Sequence, residues 1–238
     1  MYKIIRMVKR RSDLTLAQFK DYWLQQHALI ERRALEQGRI RKAVASFSTG
    51  EVALGGKEPP FDGMATLYFS ALQDARAAMS GPLWSELTGD AGDFVDSGTA
   101  ALRVLCDEHL MSQKQDADRV IKRTGQLKII RTVYRRRDLS HAQFKDYWLK
   151  NHSKLEDRVI ATTGVQRIVA TFAVPEAGKD PDFDGMVELY FNSTEDIRTM
   201  FAKPVPQMMR SDEENFVQMD APAVRLIAEE YVIGETAT

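Results

Sequence analysis

Ala17 to His27 reads AQFKDYWLQQH and Ala142 to His152 reads AQFKDYWLKNH, so one eleven-residue phrase occurs twice with two letters changed. Similarity extends outward from both copies. KIIR at Lys3 returns at Lys128, 125 residues later, and FDGM at Phe61 returns at Phe183, 122 residues later. The three-residue difference falls in the Gly/Pro-rich stretch before Phe61 and Phe183, where a change of loop length costs little. A period this long is a duplicated domain rather than a solenoid. The expected organisation is a domain over residues 1–110, a polar linker over 111–126 (MSQKQDADRVIKRTGQ) and a second domain over 127–234.

Each copy reads strand, helix, strand, strand, helix, strand. Thr15 and Gln18 have capping-box spacing at the start of the first helix, Leu14 can staple onto Phe19, and Leu139, Ser140, Gln143 and Phe144 repeat the device. The second helix is expected to start at Ser70 with Gln73, or at Asn192 with Glu195, and to end or bend at Pro82 or Pro204. Leu16, Phe19, Trp23, His27 and Ile30 recur at helical spacing, which predicts one buried stripe ending in a histidine.

Alternation separates the faces of the strands. Ala65, Leu67 and Phe69 share one wholly apolar face, as do Val187, Leu189 and Phe191, and the helices are expected to cover it. The other face is mixed: Ser46, Thr66 and Tyr68 in one copy, Thr171, Glu188 and Tyr190 in the other. A four-stranded sheet with helices on one side needs a partner for its second side. Two such sheets face to face would enclose a mixed lining suited to a ligand.

Composition narrows the function classes. Thirty-three Lys plus Arg against thirty-four Asp plus Glu leave a net charge of -1, so no global field gathers nucleic acid or an anionic membrane. The runs Lys9-Arg10-Arg11 and Arg135-Arg136-Arg137 read as solvated strand ends. Cys106 is the single cysteine, which rules out an intrachain disulfide and fits a reducing compartment; its RVLCDE context predicts a buried strand residue. There is no signal-peptide pattern and no apolar run near the ~18 residues of a membrane span, so the expectation is a cytoplasmic protein. The four histidines have no metal-ligand spacing, Gly55-Gly56 lacks a strand-to-helix context, and no phosphate loop, dinucleotide fingerprint or nucleophile elbow occurs. No metal and no cofactor are expected.

The motif F-x-x-Y-W-x-x-x-H (Phe19 to His27, Phe144 to His152), the D-G strand FDGMATLYF and the late DFVD resemble the EthD family of the dimeric α/β-barrel superfamily. The resemblance covers both copies. It implies an α+β fold: two ferredoxin-like βαββαβ domains forming an intramolecular dimeric α/β barrel. Family members are usually single domains that dimerise, whereas this chain carries both copies, which leaves a monomeric pseudo-dimer or a homodimer as its expected state.

By the same resemblance, an imidazole at His27 and His152 is the acid/base group of muconolactone-type methylisomerases and related fungal dehydratases. From the residues alone, a core histidine held by one hydrogen bond is the competing reading. His141 aligns with Leu16 and His109 with Tyr231, so neither belongs to a repeated site, and both are expected to be solvated. Glu188, whose counterpart is Thr66, reads either as a buried acid or base or as half of an ion pair with a strand arginine. Tyr22, Tyr147, Trp23, Trp148, Tyr68, Tyr190, Ser46 and Thr171 are candidate substrate contacts, and Arg6 and Arg131 could bind a carboxylate or phenolate if their face lines the cavity. Asp62 and Asp184 read as turn formers. The expected function is a cofactor-independent lyase or isomerase acting on a small hydrophobic or aromatic, lactone-like metabolite. Two alternatives stay open: a non-catalytic ligand-binding or accessory protein of an oxygenase pathway, and a haem-binding barrel.

Overall fold

The computed structural model of the protein describes residues 1–51, 59–176 and 178–236. Gly55-Gly56 lies outside the described residues. The chain divides into two compact units, one made of Met1–Asp107 with Ile227–Thr238 and the other of Glu108–Leu226.

In the first unit, β1 (Tyr2–Val8) leads to α1 (Leu16–Tyr22), a π-helical turn (Trp23–His27) and α2 (Ala28–Glu36). Then come β2 (Lys42–Ser48), β3 (Gly63–Phe69), α3 (Leu72–Ser80), α4 (Pro82–Thr88), α5 (Ala91–Phe94) and β4 (Leu102–Gln113). The strands are antiparallel in the order β4-β1-β3-β2-β8, where Ala228–Glu235 of β8 (Arg225–Glu235) pairs with β2.

The second unit repeats the plan: β5 (Thr124–Val133), α7 (His141–Tyr147), a π-helical turn (Trp148–His152), α8 (Ser153–Thr162), β6 (Val165–Ala173), β7 (Gly185–Phe191), α9 (Thr194–Phe201) and α10 (Val205–Glu213). Its order is β8-β5-β7-β6-β4. Of the polar stretch 111–126, Met111–Gln113 ends β4, Ala117–Val120 forms the short α6, and Thr124–Gln126 opens β5.

Both first helices begin as their capping boxes predict, with Thr15 accepting from Gln18 N and Ser140 from Gln143 N. The second helices begin one residue later than expected. Ala71, which offers no side-chain cap, precedes α3, and Ser193 rather than Asn192 caps α9 by accepting from Asp196 N. Pro82 opens α4 directly after Gly81, because the ring tolerates the first turn of a helix but not its interior.

The helix side of each sheet is marked by glycine. A Cβ at Gly63 would stand 2.8 Å from Phe19 Cζ and 3.0 Å from Trp23 Cζ3; at Gly185 it would stand 3.0 Å from both Phe144 Cζ and Trp148 Cζ3. The D-G motif therefore places a residue without a side chain under two aromatic rings. Trp23 packs edge-on against Phe19, Phe47 and Phe94 at 5.5–5.6 Å, and Trp148 sits among Phe144, Phe172 and Phe216 at 5.3–5.7 Å. Each such pair contributes about 0.5–1.5 kcal/mol beyond area burial.

With Gly63 on the helix side, period-2 alternation puts Ala65 and Leu67 there and Met64, Thr66 and Tyr68 on the opposite face. That face is buried as well: Ser46, Thr66, Tyr68, Thr171, Glu188 and Tyr190 all lie out of solvent. Cys106 is buried in β4, as its strand context predicts. No helix among the described residues is long and apolar enough to cross a membrane.

Candidate active site

The duplicated phrase ends in a π-helical turn in both copies, Trp23–His27 and Trp148–His152. Such a turn inserts extra backbone into the helix, widens it and rotates the residues on its C-terminal side. The predicted stripe through Ile30 is displaced for this reason: Ile30 is half-buried, while Ala28, Glu31, Ala34 and Leu35 form the buried face of α2. A carboxyl group thereby enters the core one turn after the histidine.

His27 is buried beneath Phe94, with ring centroids 5.2 Å apart. Its Nδ1 lies 2.9 Å and 3.2 Å from the two carboxylate oxygens of Asp90, just before α5. A carboxylate only accepts, so Nδ1 carries a proton, and in the neutral ring Nε2 holds the lone pair. Nε2 faces Glu31 Oε1 at 3.8 Å. Glu31 is 1% exposed, and neither of its oxygens has a hydrogen-bond partner among the described residues. Burial pushes this carboxyl up to about 7, against the weaker pull of His27 and of the Trp23 indole N–H.

These groups meet a small cavity of about 10 Å³ on the helix side of the sheet. Its walls are Ile4 and Arg6 of β1, His27, Glu31, Ala65 and Leu67 of β3, and Trp84, Leu87 and Thr88 of α4. Arg6 is half-buried; desolvation holds its guanidinium below the usual arginine range, opposed by Asp90.

The second unit repeats the pattern with changes. His152 Nδ1 lies 2.7 Å from Asp212 Oδ2, and burial lowers its pKa. Trp148 Nε1 donates to Glu156 Oε1 at 3.0 Å, and burial pushes Glu156 up to about 7. Arg131 Nη1 donates to Glu213 Oε1 at 2.5 Å. Tyr147 Oη donates to Asp212 Oδ1 at 2.9 Å while its ring stacks on Phe216. Tyr22 stacks on Phe94 and donates to Asp93 Oδ2 at 3.0 Å; burial and that acceptor push its phenol up to about 12.

The sheet thus separates the predicted site residues into two sets. Arg6, Tyr22, Trp23 and His27, with Arg131, Tyr147, Trp148 and His152, lie on the helix side. Ser46 and Tyr68, with Thr171, Glu188 and Tyr190, lie on the other face. A helix that covers one side of a sheet cannot deliver its histidine to the other side. Glu188 is paired with Lys128 of the adjacent β5 at 2.5 Å, an ion pair with a lysine of the neighbouring strand. The hydroxyls of Ser46 and Thr171 are buried and make no hydrogen bond among the described residues.

His141 is half-buried and lies 3.0 Å from Asp184 rather than being solvated, and His109 packs edge-on against Phe172. Asp62 binds Lys9 and the Arg10 backbone N–H, so it ties down the basic run as well as forming a turn. Glu31, Glu156, Asp90 and Asp212 are the site residues that sequence reasoning missed. Their signal was a repeated H-x-x-x-E (His27 to Glu31, His152 to Glu156) and an aspartate recurring at the 122-residue offset. Among the described residues no group of three or more His, Cys, Asp or Glu is arranged to hold a metal ion.

No curated protein matches the sequence. The fold is similar to that of an anthrone oxidase-like protein, with a TM-score of 0.62 and 8% identity over 100% of this chain and 95% of that one. It is also similar to a mutant chlorite dismutase from Candidatus Nitrospira defluvii, with a TM-score of 0.53 and 11% identity over 96% of this chain and 90% of that one. The EthD domain matches residues 11–98 and 136–220, most of the chain in two consecutive copies. The chain belongs to the EthD domain family.

Proposed function

We propose that the protein is a lyase or isomerase that moves protons on a small aromatic or lactone-like metabolite with its own side chains as acid and base. The observation that carries this reading is the His27 ring set between two carboxyl groups of different character, with Asp90 on Nδ1 and Glu31 opposite Nε2. Pairs of titratable groups pushed apart by their surroundings mark acid and base assignments.

In a dehydration, Nε2 of His27 takes the proton from a carbon next to a carbonyl, and Arg6 stabilises the enolate oxygen. Protonated Glu31 gives its proton to the departing hydroxyl, which leaves as water. Transfer of the proton from His27 to Glu31 resets both groups. In an isomerisation the abstracted proton is returned to a different carbon. The cavity, about 10 Å³, takes a single oxygen. The body of a larger substrate would have to displace Trp84 and Leu87 of α4, which wall the cavity.

The domain reading accompanies this one: tandem domains over 1–110 and 127–234 joined by 111–126, each on the ferredoxin-like βαββαβ plan, supported by the repeated element order. Haem fits the site poorly. Nε2, the nitrogen His27 would offer to iron, is faced by Glu31 at 3.8 Å.

The test is exchange. The protein is incubated with a panel of aromatic ketones, hydroxylated anthrones and unsaturated lactones in D₂O, and mass spectrometry reads deuterium uptake and loss of water. The expected result is turnover of at least one compound, falling by about 10²–10⁴-fold in His27→Gln. Turnover unchanged in His27→Gln combined with His152→Gln overturns the assignment.

A further inference from the structure

The two copies differ in what meets the arginine of their first strands. Arg131 is held by Glu213, whose side chain is 11% exposed and whose Oε1 sits 2.5 Å from Nη1. The offset that aligns Asp212 with Asp90 aligns Glu213 with Ala91, so the first unit has no carboxyl at that place. Arg6 makes no hydrogen bond or ion pair among the described residues, although it lines the same cavity as His27 and Glu31. A half-buried guanidinium at a cavity wall offers donors that an anionic oxygen can accept, and in the second unit a carboxylate of the chain fills that role.

We propose that Arg6 anchors an anionic oxygen of the ligand, a carboxylate or phenolate, and that Glu213 occupies the corresponding place in the second unit as a built-in plug. This rests on the proposed function for the location of the site and adds two things: a substrate class and the working half. Arg6, His27 and Glu31 form the site open to a ligand. Arg131 and His152 are closed off by a side chain of the chain itself. The duplication then lets one copy diverge into a structural role, which two identical subunits cannot do.

Isothermal titration of the full-length protein with benzoate tests the proposal. The expected stoichiometry is one for the unaltered protein, with binding weakened by about ten- to a hundredfold in Arg6→Met, the range for one charged hydrogen-bonded contact. Glu213→Ala is expected to bind two equivalents, and Arg6→Met with Glu213→Ala to bind one. Unweakened binding to Arg6→Met, or a stoichiometry of zero or two for the unaltered protein, overturns the anchor. A stoichiometry still at one in a folded Glu213→Ala variant overturns the plug. Arg6→Met alone decides the first half if Glu213→Ala does not fold. His27→Gln separates the two readings, since proton transfer needs the imidazole and the anchor needs Arg6. Lost turnover with intact stoichiometry there bears on proton transfer, and intact turnover with absent benzoate binding bears on the anchor.

Discussion

His27 and Asp90 are joined through Nδ1 at 2.9 Å, although they lie on separate elements 63 residues apart. Asp90 does not reach the cavity, so its effect passes through the ring. It fixes the tautomer that leaves Nε2 basic and stabilises the imidazolium formed when Nε2 accepts a proton. Asp90→Asn keeps the shape but can present an amide N–H₂ to Nδ1, which moves the ring proton to Nε2. The expected result is a fall in kcat of about 10²-fold or more with KM little changed, and a pH–rate midpoint shifted downward. Equal kcat and an unmoved pH profile would assign Asp90 to the fold alone.

Glu31 and Glu156 make stability depend on pH in the direction opposite to a salt-bridged carboxylate. Burial raises each from 4.5 to about 7, so between those values the folded chain holds protons that the unfolded chain has lost. Stability is therefore full below about 4.5 and declines as pH rises toward 7, by roughly 3 kcal/mol for each group. Glu31→Gln is neutral at every pH. It is expected to flatten this decline and to be more stable than the parent protein at pH 8, as read by urea unfolding at pH 5 and pH 8. Turnover that needs the Glu31 proton is expected to fall over the same range in which that proton is lost.

Local chemistry was legible in the sequence, and long-range placement was less so. The capping boxes at Thr15 and Ser140 satisfy backbone groups three residues away, so their spacing alone announces them. The π-helical turn carries no such mark, because Trp23 and His27 also suit ordinary helical spacing, and its consequence, a buried Glu31 in place of Ile30, arises only from the extra backbone. Alternation sorted Ala65 from Thr66 correctly but did not say which face meets the histidine. Ser46 and Tyr68 were grouped with His27 although a sheet lies between them. Asp90 was overlooked because an aspartate in a glycine-rich turn reads as a turn former.

Lys128 and Glu188 form a buried ion pair across β5 and β7, and Lys128 Nζ also lies 5.5 Å from the centre of the Tyr190 ring. Removing one partner takes away a 2.5 Å charge contact that lies out of water. Lys128→Met and Glu188→Met are each expected to cost about 3–5 kcal/mol, and the double variant is expected to cost less than the sum of the two. Urea unfolding of the four proteins in a double-mutant cycle reads the coupling directly. Additive losses would mean that the two charges do not depend on each other.

Gly63 carries the closest test of how the helix is seated. Its position below Phe19 and Trp23 leaves a Cβ only 2.8 Å and 3.0 Å from ring carbons, and the rings are themselves wedged against Phe47 and Phe94. An added methyl group must therefore lift α1 and the π-helical turn together, because the aromatic packing leaves no slack for one ring to tilt. Gly63→Ala is expected to destabilise the protein by about 1–3 kcal/mol. Since His27 comes after Trp23 by a single wide turn, the same shift would lengthen its contact with Asp90. A loss of turnover larger than the loss of folded protein, with Gly185→Ala matching the stability change but sparing turnover, is the expected pattern if the first unit holds the working histidine. Equal losses of turnover from both substitutions would place the chemistry in both units.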